Sequence, residues 1–107
     1  MKSLSPQEAY AELQAKNAIL IDVREQEEYD EWYIDGAQLA PLSILPQAIE
    51  AIDFPSDKKV IFQCLKGGRS GQAIEFLSEN KLRGHDVYNL EGGILRWHED
   101  GLPVVKL

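Results

Sequence analysis

The only cysteine of this 107-residue chain lies in the segment Cys64-Leu65-Lys66-Gly67-Gly68-Arg69-Ser70, which we call the cysteine loop. An apolar run (residues 60–62) precedes this loop, and a helical pattern follows it. A thiol at such a junction meets helix N–H groups that have no partner within the helix, and it lies at the positive end of the helix dipole. Lys66 and Arg69 add full positive charges. The pattern predicts a reactive thiolate in an anion-binding loop.

The residue types of the cysteine loop suit this chemistry. Gly67 and Gly68 permit positive φ angles, so that successive N–H groups can point inward as a nest. Arg69 is able either to bind an oxyanion through two N–H groups or to form a salt bridge outward. The alternative is that Cys64 is a buried structural thiol, which is common for cysteine. Its position before Lys-Gly-Gly-Arg-Ser favours the reactive interpretation.

A second polar pair follows another apolar run of the chain. Residues 18–21 are apolar, and Asp22 and Arg24 come directly after them. Ligands of parallel sheets bind beyond the carboxyl ends of strands, at the point where the strand order reverses. If the strands that precede Asp22 and Cys64 are neighbours there, both polar groups converge on one crevice. The pair then either supports the cysteine loop structurally or takes part in the chemistry.

The absence of other reactive groups limits the mechanism. With one cysteine, the chain has no second thiol to resolve an intermediate, so any group that Cys64 acquires must leave to an external acceptor. His85 and His98 are not spaced as a metal pair, and no phosphate-loop, dinucleotide or Ser-His-Asp motif is present. We therefore expect neither a metal nor a cofactor.

Composition predicts one globular domain over residues 1–107. The formal net charge of −7 argues against nucleic-acid or anionic-membrane partners. There is no apolar run long enough to span a membrane and no signal-peptide pattern at the start of the chain. A cytoplasmic location is the expectation from these patterns.

The elements that position the reactive groups alternate along the chain. Apolar runs predict strands at residues 18–22, 37–40, 59–63 and 86–90, and helical patterns cover residues 6–16, 25–32, 44–52, 70–80 and 94–99. Ser5-Pro6-Gln7-Glu8 is a capping box that begins the first helix. This alternation predicts an α/β layer fold with a mostly parallel sheet.

The chain resembles the single-domain rhodanese-like sulfurtransferases over nearly its whole length. Together, the order and spacing of its motifs are specific, although each alone is weak. These motifs are Asp22-Val23-Arg24-Glu25, Glu28-Tyr29, Ile34 with Gly36-Ala37, Cys64 to Arg69, Gly92-Gly93, Trp97 and Gly101-Leu102-Pro103-Val104.

The resemblance implies a three-layer α/β/α fold with a five-stranded, mostly parallel sheet. It also implies that Cys64 accepts a sulfane sulfur from a small anionic donor such as thiosulfate and forms a persulfide. An external thiol or cyanide then removes the sulfur. The inward N–H groups of residues 65–70 would stabilise the anionic persulfide.

Two other functions remain open at this point. Cys64 could hold persulfide for a protein partner in a sulfur relay, with the acidic segment 25–35 as a docking face. Related phosphatases and arsenate reductases form a less favoured alternative, because their loop is one residue longer. Only four residues separate Cys64 from Arg69, which suits a sulfur atom and crowds a phosphate.

The chain departs from the family pattern at one position. Where the family usually has Gly-His-Ile, this chain has Trp32-Tyr33-Ile34. The usual histidine is mainly structural, so the departure bears on local packing and on how the acidic helix ends. Trp97 is expected to anchor the last helix in the core rather than to line the site.

Overall fold

Parallel strands form the centre of the molecule. The computed structural model describes residues 1–106, and its strands are β1 (Ser3–Leu4), β2 (Ala18–Asp22), β3 (Trp32–Tyr33), β4 (Gln38–Leu39), β5 (Lys59–Gln63), β6 (Asp86–Leu90) and β7 (Val105–Lys106). Five of them make one parallel sheet in the order β1-β6-β5-β2-β4. In this order β2 and β5 are neighbours, and the chain leaves them in opposite directions.

Helices cover both faces of this sheet. They are α1 (Pro6–Gln14), α2 (Gln26–Glu31), α3 (Gln47–Glu50), α4 (Gly68–Leu77) and α5 (Gly93–Glu99), with a 3-10 turn at Leu42–Ile44. The predicted capping box is present, because Ser5 accepts from the Glu8 N–H and Glu8 accepts from the Ser5 N–H. The α/β architecture predicted for the chain is confirmed.

Alternating side chains of β2 and β5 divide the core into two clusters. Ile21, Val60 and Phe62 point to the face covered by α3 and α4, where Ala73 and Leu77 meet them. The other face, covered by α1 and α5, is built from Ala9, Leu20, Ile61, Ile94 and Trp97. Both central strands are therefore buried on two faces, as their continuous apolar runs predict.

The structure differs from the predicted elements in its short strands and in the extents of two helices. β1, β3 and β7 were not predicted, and β3 pairs antiparallel with β7 as a separate ribbon. The helix expected at residues 44–52 is instead the 3-10 turn followed by α3, because Leu45 precedes Pro46 and takes an extended conformation. The helix expected to reach residue 80 ends at Leu77.

The unusual Trp32-Tyr33 pair has a defined place in this fold. Trp32 is extended and ends α2, and its carbonyl oxygen accepts a hydrogen bond from Arg24. The ring of Tyr33 stacks on that of Tyr29, with 4.5 Å between ring centroids. As expected, Trp97 is a core residue, and its indole N–H donates to the Pro103 carbonyl oxygen at 2.8 Å.

Candidate active site

The cysteine loop lies at the carboxyl edge of the sheet, where β5 ends and α4 begins. β2 runs beside β5 with Asp22 opposite Gln63, so the two predicted polar segments start from adjacent strand ends. The strand order reverses between these strands. The structure thus places Cys64 at the position where open α/β sheets bind ligands.

The backbone of the cysteine loop closes around the sulfur atom. Gly67 has a φ of 112°, a conformation that favours glycine, and its N–H donates to Cys64 Sγ with an N···S distance of 3.0 Å. The Ser70 hydroxyl lies 3.3 Å from the same sulfur. Only 1% of Cys64 is exposed. Of the two glycines expected to permit positive φ, only Gly67 adopts it, because Gly68 already begins α4. Access to the sulfur is narrow.

Hydrogen bonds lower the pKa of Cys64 against an opposing effect of burial. Burial raises the pKa of this thiol, as it does for any group that is charged when deprotonated. Hydrogen bonds from the Ser70 hydroxyl and from the N–H groups of Ser70, Gly67 and Lys66 act in the other direction and prevail. The net pKa is lower than that of an ordinary cysteine, which favours the nucleophilic thiolate.

The first turn of α5 holds the start of the loop. Its N–H groups at Ile94 and Leu95 donate to the carbonyl oxygens of Cys64 and Leu65, at 2.9 and 3.2 Å. Gly93 has a φ of 64°, and a Cβ atom there would lie 2.3 Å from the Leu65 carbonyl oxygen. Gly93 is therefore required for this contact.

The Arg69 side chain forms a salt bridge with a carboxylate of another helix. Two nitrogens of its guanidinium donate to the carboxylate of Glu28 on α2, at 2.6 and 2.9 Å. The hydrogen bond with Arg69 lowers the pKa of Glu28 to about 2, although partial burial opposes the shift. Of the two alternatives for Arg69, the structure shows the outward salt bridge.

Lys66 has a different environment from Arg69. Its side chain is exposed, and within residues 1–106 it has no salt-bridge or hydrogen-bond partner. It is thus the loop cation whose charge is not neutralised by a carboxylate. Gly68, also exposed, begins α4 directly after this stretch.

Asp22 and Arg24 form a fully buried structural pair. The Arg24 side chain donates to both Asp22 carboxylate oxygens, at 2.8 Å for the shortest contact, and to the Trp32 carbonyl oxygen. Both side chains are 0% exposed. The contacts of this pair link β2 to the end of α2, and none of those described reaches Cys64. This geometry favours the structural alternative over direct chemistry.

Asn89 of β6 is a contact of the site that the sequence analysis missed. Its Nδ2 donates to the Gly67 carbonyl oxygen at 3.0 Å, and its Oδ1 lies 2.5 Å from Ser70 Oγ. The available signal was an amide within the predicted strand 86–90, since asparagine is uncommon in strands. Its role depends on β6 pairing with β5, which the pattern alone does not reveal.

Among residues 1–106, no three His, Cys, Asp or Glu side chains are grouped as metal ligands would be. His98 packs edge-on against Trp32, and His85 packs against Phe54. No helix in this part of the chain has the length and apolarity needed to cross a membrane.

With the cysteine loop defined, comparison with known proteins decides the family. Residues 5–100 match the model of the Rhodanese-like domain. The chain belongs to this family. It is 34% identical over 91 residues to a sulfurtransferase of Allochromatium vinosum, covering 84% of this chain and 80% of that protein. The crystal structure of a rhodanese-related protein from Thermoplasma volcanium superposes with a TM-score of 0.83 at 34% identity, covering 98% of each chain.

Rhodanese-like domains also occur inside longer proteins. The chain is 31% identical over 109 aligned positions to the tRNA uridine(34) hydroxylase of Erwinia tasmaniensis. The alignment covers 94% of this chain and 31% of that protein.

The resemblance predicted from sequence is confirmed by the family match. Membership supports sulfur transfer as the general chemistry of the domain.

Proposed function

We propose that this chain transfers a sulfane sulfur from a small anionic donor such as thiosulfate to an external nucleophile, through a persulfide on Cys64. In the first half-reaction the Cys64 thiolate attacks the outer sulfur of thiosulfate. The sulfur–sulfur bond of the donor breaks, and sulfite leaves with the electron pair. Cyanide or a thiol then attacks the outer sulfur of the persulfide, and Cys64 leaves as a thiolate.

The observation that supports this function is the buried sulfur enclosed by loop N–H groups. Since Cys64 is 1% exposed, its own sulfur is poorly placed to meet a bulky acceptor. A disulfide-type bond places the transferred sulfur about 2 Å further out. That atom carries the negative charge, and the inward N–H groups of the loop can bind it. The loop thus both activates the thiolate and accommodates one added sulfur.

The small anionic donor is proposed from the charges at the loop. Lys66 is exposed and unpaired among the described residues, so it can approach an incoming anion. Arg69 is held by Glu28 and contributes less net charge. The four-residue spacing between Cys64 and Arg69 also favours sulfur transfer over phosphoryl or arsenate chemistry. No cofactor is needed for these steps, and a reducing cytoplasm would keep the thiol available.

Steady-state kinetics test this function directly. We expect thiosulfate:cyanide turnover with ping-pong kinetics, seen as parallel lines in double-reciprocal plots, and no turnover in Cys64→Ser. Serine keeps the size of the side chain, so the variant should fold like the wild type. Full activity of Cys64→Ser would rule out Cys64 as the sulfur carrier. Intersecting lines would contradict the two-step transfer.

A persulfide carrier for a protein partner is the second proposed function. The observation that favours it is the contact of the acidic helix α2 with the site through the Glu28–Arg69 pair. Exposed carboxylates of α2, at Glu27, Asp30 and Glu31, would then face a basic partner. Reversing these three charges should abolish transfer to the partner and leave thiosulfate:cyanide turnover intact. If both activities survive, the docking role fails.

A further inference from the structure

The amide of Asn89 and the Cys64 sulfur compete for the same hydroxyl group. Ser70 Oγ lies 2.5 Å from Asn89 Oδ1, 3.3 Å from Cys64 Sγ and 3.2 Å from the Gly67 carbonyl oxygen. A serine hydroxyl has one hydrogen to donate. It therefore cannot satisfy all three acceptors at once, and the nearest of them belongs to Asn89.

The orientation of the Asn89 amide follows from its second contact. The Gly67 carbonyl oxygen, 3.0 Å away, can only accept, so the Asn89 NH₂ group must face it. The amide oxygen then faces Ser70 and can only accept from the hydroxyl. Rotating the amide by a half turn would place two oxygen acceptors against each other at Gly67. Asn89 is thus fixed as a competitor of the sulfur for the Ser70 hydrogen.

We propose that Asn89 is a positioning residue that draws the Ser70 hydroxyl away from Cys64 and so favours the states in which Sγ carries no charge. The proposal rests on sulfur transfer through Cys64. In the thiol form, Ser70 donates to Asn89 and can accept from the S–H group. In the thiolate form, the hydroxyl must turn to the sulfur, which leaves Asn89 Oδ1 facing an oxygen lone pair.

The same preference extends to the loaded enzyme. In a persulfide the negative charge lies on the outer sulfur, and Sγ is a neutral sulfur bonded to carbon and sulfur. The Ser70 hydroxyl can then return to Asn89 without any loss at Sγ. Asn89 consequently stabilises the persulfide relative to the free thiolate and slows discharge of the sulfur.

The other charged groups near the sulfur stay constant in the test below. Arg69 lies in the first turn of α4 and is paired with Glu28 of α2. Lys66 is exposed on the loop itself, and Asp22 with Arg24 forms the buried pair at the end of β2. A change in thiol reactivity in the neutral variant Asn89→Leu is therefore read against an unchanged set of charges.

The test is the pH dependence of Cys64 alkylation by iodoacetamide, followed by intact mass on the reduced 107-residue chain. It needs no sulfur donor, so it can succeed or fail whether or not thiosulfate is the substrate. In Asn89→Leu we expect the midpoint of the rate profile to fall, with a roughly three- to tenfold higher ratio of thiolate to thiol. Asn89→Asp keeps a stronger acceptor and adds negative charge, so its midpoint should rise.

Repeating the measurement in Ser70→Ala distinguishes two effects of Asn89→Leu: loss of the competition for the Ser70 hydroxyl, and loosening of the cysteine loop. Both Asn89 variants lose the contact with Gly67, so loosening alone would change them in the same direction. Without the hydroxyl, Asn89→Leu should leave the midpoint where Ser70→Ala puts it. An unchanged or raised midpoint in Asn89→Leu, or the same fall in both backgrounds, would overturn the proposal. If Asn89→Leu does not fold, Asn89→Ala takes its place.

Discussion

The reactivity of Cys64 depends on which hydrogen bonds reach a buried atom. Burial alone would keep this thiol protonated, but donors from Ser70 and from the loop backbone lower its pKa. Those donors are fixed by the conformation of Gly67 and the start of α4, so no histidine base is required. The two loop cations differ, because Arg69 is bound to Glu28 and Lys66 is not.

Lys66 is predicted to act in donor binding rather than in the chemical step. In Lys66→Ala, we expect KM for thiosulfate to rise by about tenfold at low salt while kcat changes little, as for loss of uniform binding. Lys58→Ala is a matched control, because Lys58 directly precedes β5 at the opposite end of that strand from Cys64. An unchanged KM in Lys66→Ala, or an equal rise in the control, would remove Lys66 from the site.

Individual site residues were predictable only where the signal is local in sequence. The cysteine loop was found from residues within one segment, since the thiol, glycines and helix start are adjacent. The partner of Arg69 lies 41 positions away, and Asn89 lies 19 positions from Ser70. Such contacts depend on which segments the strand order brings together, so they cannot be predicted from residues that are neighbours in sequence.

At the scale of elements, the start of α5 acts as a support for the cysteine loop. The N–H groups in the first turn of α5, which have no partner within that helix, donate to the carbonyl oxygens of Cys64 and Leu65. The close approach leaves no room for a side chain at Gly93. Gly93 thus supports the site through the backbone of Cys64 and Leu65.

Gly93→Ala should damage both stability and activity. The positive φ alone costs about 1–2 kcal/mol for a residue with a Cβ, and the collision with Leu65 adds roughly 1–3 kcal/mol. Gly84→Ala is the matched control, because Gly84 has a φ of 82° and nothing within 4 Å of a Cβ. Urea unfolding gives the free energy of unfolding of both variants. Equal losses would show that the contact with the loop is unimportant.

Elements were predictable in proportion to their length and burial. β2 and β5 have five residues each and are buried on both faces, so their apolar runs identified them. β1 and β7 have two residues each and exist only through pairing with distant strands, β6 and β3. A pattern of two residues has no measurable period, so these strands were missed, whereas the equally short β4 was predicted as residues 37–40.

At the scale of the whole molecule, polar contacts tie together three segments at the carboxyl edge of the sheet. Glu28 of α2 binds Arg69 of α4, and Glu25 accepts from the Ser43 hydroxyl at 2.6 Å. The segments that follow β2, β4 and β5 are therefore joined around the site. In a chain with a net charge of −7, this arrangement uses carboxylates as structural links.

The Glu28–Arg69 pair predicts acid-sensitive stability. The folded pKa of Glu28, about 2, is lower than the unfolded value near 4.3, so its stabilisation is complete above about pH 4.5. It is lost as pH falls from there towards 2. Since both side chains are about one-third exposed, we expect about 1 kcal/mol after solvent screening.

Glu28→Gln tests this linkage and retains an acceptor for the helix cap. The variant should be about 1 kcal/mol less stable than the wild type at pH 7 in urea unfolding, and this difference should shrink steadily as the pH falls from about 4.5 towards 2. Glu27→Gln is the control on the same helix, where the residue is exposed and no salt bridge is described. A difference that stays constant across this range would contradict a titrating Glu28.

The intact mass of the reduced protein after thiosulfate treatment, beside Cys64→Ser, tests the central claim most directly. We predict a gain of one sulfur atom that cyanide reverses and that the variant does not show. A gain in Cys64→Ser would place the sulfur elsewhere. If thiosulfate, mercaptopyruvate and a persulfide donor all leave the wild-type mass unchanged, sulfur transfer through Cys64 is contradicted.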